Sequence, residues 1–367
     1  MGTIRAFQRE ESEEVAALYL KIMRGQRQGK SQKLADYFAH VFLDNPWRHN
    51  GIDALVYLEG AQIAGFLGVM NRPMQFAGKP IKTAVVSQLF IDRDIHQGMG
   101  ALALLRKCFQ GPQDLCFTDG AAEASAKIWE AAGGDAARLY SFNWIRPLRL
   151  ISTLQEHSIG RKQGGFWNVI NGAVDLVGSP LDTLAQRWSG EGLRPSVPCE
   201  TVSVDVDTLL DAITEIGWRE KLKPAYERAS FRWLIAESEQ AQYGQLRLCI
   251  TRDKDGRTSG WFVYYLRPSG VCYLLQLGAR RSNEYRTVLR ALFADAAAGG
   301  GSCVKGQSQP KKLVDLTEEH CIFRHPNSSV LIHSKDSELR AAIHRGDAML
   351  TRLDGESWLR FSAEEWV

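Results

Sequence analysis

An α/β (α+β) fold is predicted for this chain of 367 residues, and three observations carry the prediction. Two apolar runs, Ala54 to Glu59 and Gln62 to Met70, flank a turn at Gly60 and read as a hairpin. A buried strand, Val85 to Ile91, leads through a loop containing Gly98 and Gly100 into an amphipathic helix, Ala101 to Gln110, with Leu102, Leu105 and Phe109 on one stripe. The order of elements in the first half then recurs in the second, without a clear repeat of sequence.

In chain order, Thr3 to Phe7 is a strand, and Glu13 to Met23 a helix carrying Val15, Leu18, Tyr19 and Ile22. Leu34, Tyr37, Phe38, Val41 and Phe42 sit at helical spacing and make a second helix, followed by Asp44-Asn-Pro-Trp-Arg48. After the hairpin, a further turn falls at Gly78. Leu115 to Thr118 is the strand after the glycine loop. A helix with Ser125, Ile128, Trp129 and Ala132 on one face ends at Gly133-Gly134, and a last strand is expected from Ala137 to about Trp144. In the second half, strands are expected at 200–206, 245–251, 259–266, 271–277 and 302–306, and helices at 208–216 and 284–297. Leu222 to Glu237 is read as a helical segment with Tyr226, Phe231, Trp233 and Leu234, and 347–353 as a closing strand. Phe166 to Gly178 and Leu181 to Trp188 read as two amphipathic connector helices.

Strand, glycine loop and helix N-terminus together suit a phosphate group. Glycine lets the backbone approach closely, several N–H groups converge, and the helix dipole favours negative charge. A tight turn that simply needs glycine would look the same. Neither G-x-x-x-x-G-K-[ST] nor G-x-G-x-x-G occurs, so the P-loop and dinucleotide fingerprints are absent.

The order β, α, α, β, β, β, loop, α, β, α, β in residues 1 to 147 resembles that of the GNAT N-acyltransferase superfamily, and His96-Gln-Gly-Met-Gly-Ala101 is similar to its [Q/R]-x-x-G-x-[G/A] loop. Two registers are open. Gly98 and Gly100 take the two small positions with Ile95 leading, or Gln97 leads and Leu102 falls on the second small position. The resemblance implies two GNAT-type domains, each a mixed, mostly antiparallel sheet flanked by helices. It also implies domain limits at 1–150, a helical connector at 151–198 and a degenerate second domain at 199–367, whose loop Gly278-Ala-Arg-Arg-Ser-Asn283 holds one glycine and is expected to bind no coenzyme A.

The same resemblance implies that acetyl-CoA or a longer acyl-CoA is the co-substrate, held by main-chain groups at Leu89, Phe90 and Ile91 and by His96, Gln97, Gly98, Met99, Gly100 and Ala101. A primary amine on a small molecule or peptide would attack the thioester. Asp119 would lie at the end of its strand beside the gap, to receive a proton or position the amine, or else to cap the next helix. The family tyrosine that protonates the departing thiolate falls on Trp129, whose indole is no acid at neutral pH. Tyr140 is a substitute with a dissociable hydroxyl, or a core tyrosine. Trp47 and Arg48 touch substrate or cap the core. Other readings are a transferase of the same fold using aminoacyl-tRNA or an acyl carrier protein, and a non-catalytic binding protein on a decayed fold.

Composition bounds these expectations. A hydrophobic fraction of 44% with 24% charged residues is ordinary for a globular protein. A formal net charge of +3 without a basic run gives no reason to expect nucleic acid. Seven scattered cysteines with no CxxC speak for free thiols and against a metal site. Phe166 to Val177, the longest apolar stretch, is interrupted by Asn168, Asn171 and Asp175. With no apolar leader at Met1, a soluble, cytoplasmic protein is expected.

Overall fold

The computed structural model describes residues 2–26, 29–48, 51–95, 99–149, 199–324, 329–362 and 364–366. The expected connector at 151–198 lies outside them. The chain forms two compact units: Met1–Ser141 with Arg219–Ala241 and Pro326–Val367, and Phe142–Trp218 with Gln242–His325.

In the first unit the sheet runs β1 (Thr3–Ala6), β2 (Leu55–Glu59), β3 (Gln62–Phe76), β4 (Lys79–Ile91), β5 (Leu115–Ala121), β15 (Ser329–His333), β6 (Asp135–Ala136), with β9 (Leu222–Pro224) added on β3. All its neighbours are antiparallel except β4 and β5, which are parallel. The expected strand from Ala137 to Trp144 is instead a helical turn, α5 (Arg138–Ser141), followed by β7 (Asn143–Pro147), which pairs in the other sheet. Its place beside β5 is taken by β15, whose Leu331, Ile332 and His333 face Thr118, Phe117 and Cys116.

Helices α1 (Ser12–Arg24), α2 (Gln32–Phe42), α3 (Gly100–Phe109) and α4 (Glu123–Ala131) flank this sheet, joined by α7 (Arg228–Gln240) and α10 (Ser337–His344). Local chemistry sets their ends. Glu13 and Glu14 lie in the first turn of α1 and Lys21 and Arg24 in its last, complementing the helix dipole, and Gly25 closes it at φ 69°. Ser31 caps α2 by accepting the Leu34 N–H at 3.2 Å. One face of the sheet is an aromatic core in which Phe38 meets Phe66 at 5.2 Å between ring centroids and Phe361 at 4.8 Å. The other holds Leu104, Leu105, Phe109, Trp129 and Leu331. Residues 347–353 are no strand. The Met349 N–H donates to the Leu222 carbonyl at 2.8 Å, and turns follow to Trp358.

The second sheet runs β14 (Ile322–Arg324), β7, β13 (Cys303–Gln307), β12 (Val271–Ala279), β11 (Thr258–Leu266), β10 (Gln245–Arg252), β8 (Glu200–Ser203). Again one pair, β12 with β13, is parallel. Three helices accompany it: α6 (Val206–Ile216), α8 (Tyr285–Ala298) and α9 (Leu313–Glu318). The core is built on Phe262, Tyr264, Leu289, Leu292 and Phe293. Two sheets of this kind, mostly antiparallel and flanked by helices, are the architecture the sequence predicts.

Phe361 is 1% exposed and touches Tyr19, Tyr37, Phe38 and Phe42. Phe361→Ala should lower the unfolding free energy by about 3–5 kcal/mol, read from urea denaturation.

Candidate active site

Parallel pairing of β4 and β5 covers Thr83↔Leu115, Ala84↔Cys116 and Val85↔Phe117, and then stops. The other edge of β5 pairs with β15 from Cys116 to Ala121, while β4 continues to Ile91. The main chain of β4 past Val85 is thus paired on its β3 side and open on the β5 side. Within this stretch β4 carries one extra residue against β3. Phe66 faces Phe90 and Gly68 faces Ser87, a bulge at Gln88 and Leu89. Gln88 has φ 49°, a left-handed conformation that costs a side-chain-bearing residue about 1–3 kcal/mol and that gathers at functional sites.

The open edge forms one wall of a cleft of about 1130 Å³. Leu89, Phe90 and Ile91 of β4 line it, with Lys21, Ile22 and Met23 from the end of α1, Met99, Ala101 and Leu102 from the start of α3, and Ser125, Ile128 and Ala131 from α4. Small-molecule sites typically occupy about 300–1000 Å³, so a large ligand fits. The first turn of α3 opens on this space. Its N-cap, Met99, is 72% exposed and gives no side-chain cap, so the leading N–H groups keep their positive end for an anion. Lys21 reaches Asp92 at 2.5 Å and Asp94 at 3.2 Å, which offsets both carboxylates beside the anion position. The hydrogen bond that Lys21 donates to Asp92 raises the Lys21 pKa.

Of the residues singled out in the sequence, Leu89, Phe90, Ile91, Met99 and Ala101 all line this cleft, and Gly100 opens α3 between the last two. His96, Gln97 and Gly98 lie outside the described residues. Ser125 and Ile128 face the cleft. Trp129 turns away from it, buried, its indole N–H donating to the Ile332 carbonyl at 2.9 Å. Tyr140 sits in α5 rather than on a strand. It is buried, and its hydroxyl donates to the Ala348 carbonyl at 2.7 Å; burial raises its pKa. Trp47 is buried against Arg72, whose guanidinium lies 4.0 Å from the ring centroid.

Asp119 is 8% exposed at the end of β5, and it does not cap α4. One oxygen accepts the Glu356 N–H at 2.6 Å and the other the Ser357 hydroxyl at 2.5 Å. Gly355 makes this approach possible, since a Cβ there would stand 2.1 Å from the same carboxylate. Glu356 then accepts from the Thr118 hydroxyl at 2.5 Å. Two carboxyl groups thus share one end of β5, just beyond the point where β4 leaves it. Burial raises both pKa values, and the nearby Asp119 helps push Glu356 up to about 8. Glu356 carried no signal in sequence. It lies 237 positions from its partner and belongs to no motif.

Among the described residues no group of three or more His, Cys, Asp and Glu is arranged to hold a metal ion, and no helix is long and apolar enough to cross a membrane. In the second unit the matching loop carries Arg280. Arg280 donates to the Thr258 carbonyl at 2.7 Å and pairs with Glu215.

Comparison with solved structures finds this architecture in a conserved protein of unknown function from Enterococcus faecalis (TM-score 0.58, 12% identity, 91% of this chain and 72% of that one). It recurs in a GCN5-related N-acetyltransferase from Anabaena variabilis (0.56, 12%, 92% and 73%) and in Eis1 from Mycobacterium abscessus (0.54, 11%, 94% and 76%). No family model matches the sequence, and no curated protein does. The chain has the GNAT superfamily fold.

The carboxyl pair also fixes a pH dependence. A carboxyl that binds its proton more tightly folded than unfolded adds stability at low pH and loses it as pH rises through the folded value. Stability should therefore fall between about pH 5 and pH 8. Glu356→Gln should flatten that fall by on the order of 2 kcal/mol in denaturant titrations run across this range.

Proposed function

We propose that the first unit is an N-acyltransferase that takes its acyl group from acyl-CoA. The observation that carries this reading is the open edge of β4 beside an uncapped helix N-terminus, both on one cleft. Pantetheine carries amide groups that suit the unpaired main chain of residues 86–91, as an added strand would. The pyrophosphate suits the first turn of α3. The Anabaena structure, a GCN5-related N-acetyltransferase, agrees with acyl transfer and says nothing of this chain's acceptor.

In this reading an amine nitrogen attacks the thioester carbonyl carbon, and the carbonyl oxygen takes up negative charge. Main-chain N–H groups at the Gln88–Leu89 bulge stabilise it, because the bulge turns them off the β3 ladder. Collapse of the intermediate breaks the C–S bond, releases the coenzyme A thiolate and leaves an amide. The proton lost by the amine goes to the carboxyl pair at the end of β5. We assign that role to Glu356, with Asp119 behind it, since a pKa near 8 matches a base at neutral pH. Tyr140, tied to Ala348, is proposed only as a structural hydroxyl.

Saturating acetyl-CoA or octanoyl-CoA should raise the melting temperature by several degrees, by mass action. Ala101→Glu, which adds a carboxylate at the start of α3, should abolish the shift. No shift with either donor would leave the cleft without its proposed ligand. With an accepted amine in hand, Glu356→Gln should lower kcat about 10- to 100-fold while leaving the donor-induced shift intact.

A further inference from the structure

Methionine is divided sharply in the first unit between the cleft and the core. Met23, in the last turn of α1, is 52% exposed, and Met99, the N-cap of α3, is 72% exposed; both line the cleft. The other methionines among the described residues, Met70 and Met74 on β3 and Met349 in the tail, are no more than 3% exposed. A thioether has no proton to lose, so access to the oxidant decides which methionine reacts. That access singles out the two that face the proposed donor. No cysteine lines the cleft: six of the seven are buried, and Cys199 is half-buried.

We propose that Met23 and Met99 are a modification site, a methionine pair whose oxidation by hydrogen peroxide weakens donor binding in the cleft; the proposal rests on the acyl-CoA reading above. As thioethers the two side chains are apolar and flexible, suited to settle on the pantetheine arm from two walls. A sulfoxide is polar and carries an acceptor oxygen, so oxidation forfeits that contact. At Met99 the change goes further. Its side chain gives α3 no cap, and the first-turn N–H groups are left for the pyrophosphate. A sulfoxide oxygen on the same residue is an acceptor beside those N–H groups. It competes with the phosphate for them and turns its own negative end toward it.

At each site the sulfur lone pair attacks one oxygen of hydrogen peroxide and the O–O bond breaks. The departing hydroxide takes the proton of the transferred oxygen and leaves as water, so sulfur loses two electrons and peroxide gains them. Methionine sulfoxide reductases, one for each sulfoxide epimer, reverse the step: the oxygen leaves as water while a dithiol becomes a disulfide.

Trypsin isolates Met99 in peptide 94–106, Met70 with Met74 in 49–82, and Met349 in 346–352, and Glu-C isolates Met23 in 15–59. After brief peroxide treatment of the intact protein, 94–106 and 15–59 should each gain one oxygen while 49–82 and 346–352 stay unchanged. The treated protein should lose most of the rise in melting temperature that octanoyl-CoA produces, and sulfoxide reductases of both epimer types with dithiothreitol should restore it. The double variant Met23→Leu with Met99→Leu has no sulfur in the cleft, and its octanoyl-CoA shift should be the same before and after peroxide. Equal oxidation of 49–82, or an undiminished shift with both cleft methionines converted, would overturn the proposal. Untreated protein that shows no shift with any donor defeats the acyl-CoA reading first, and the proposal with it.

Discussion

The parallel pair β4–β5 is registered over three residues on each strand and then abandoned, and most of the first unit is arranged around that parting. A main-chain edge left open in water would gain nothing, so the structure gives it a role by surrounding it. The end of α1, the start of α3 and the face of α4 enclose it as a cleft. The strained Gln88 and the bulge it sits in lie where β4 has already parted from β5, and a β3–β4 ladder running from Gly65 to Phe76 holds the strand on the far side. The second sheet repeats the device. Its β12–β13 pairing ends at Tyr273↔Lys305, and β12 shows a register shift against β11 between Val263 and Tyr264.

The tail from Asp347 to Trp366 holds the other side of that parting. Arg72, fully buried on β3, donates to the Leu353 carbonyl at 2.6 Å and the Asp354 carbonyl at 3.2 Å, with its guanidinium set between Trp47 and Trp358. Burial lowers its pKa, but an arginine this basic remains a cation, and aromatic faces and carbonyl oxygens are the partners it has. The Tyr37 hydroxyl accepts the Arg360 N–H at 2.9 Å, and the Tyr19 hydroxyl donates to the Phe361 carbonyl at 2.8 Å. Through these contacts the last residues bring Glu356 to Asp119. The carboxyl pair is thus a product of long-range packing.

That contrast explains what could be read beforehand. Strand β4, its loop and α3 were legible because apolar spacing, two glycines and a helical stripe are local signals. The structure puts Leu89 to Ile91 and Met99 to Ala101 around one cleft. Asp119 was legible as a carboxylate at a strand end, but its partners, 237 and 238 positions away, were not. Tyr140 is expected on a strand and lies in the helical turn Arg138–Ser141, because nothing local announces that β15 takes the sheet position beside β5. The reassignment of β7 to the second sheet has the same origin. Patterning specifies a strand's faces and leaves its neighbour to be settled by the whole chain.

Amide hydrogen exchange with and without acetyl-CoA tests the central claim most directly, because it reports on main chain rather than on turnover. If pantetheine completes the open edge of β4, exchange should slow at residues 86–91 and 99–102, while β12, Val271–Ala279, stays as it was. Slowing confined to β12, or to neither strand at saturating ligand, would contradict the account.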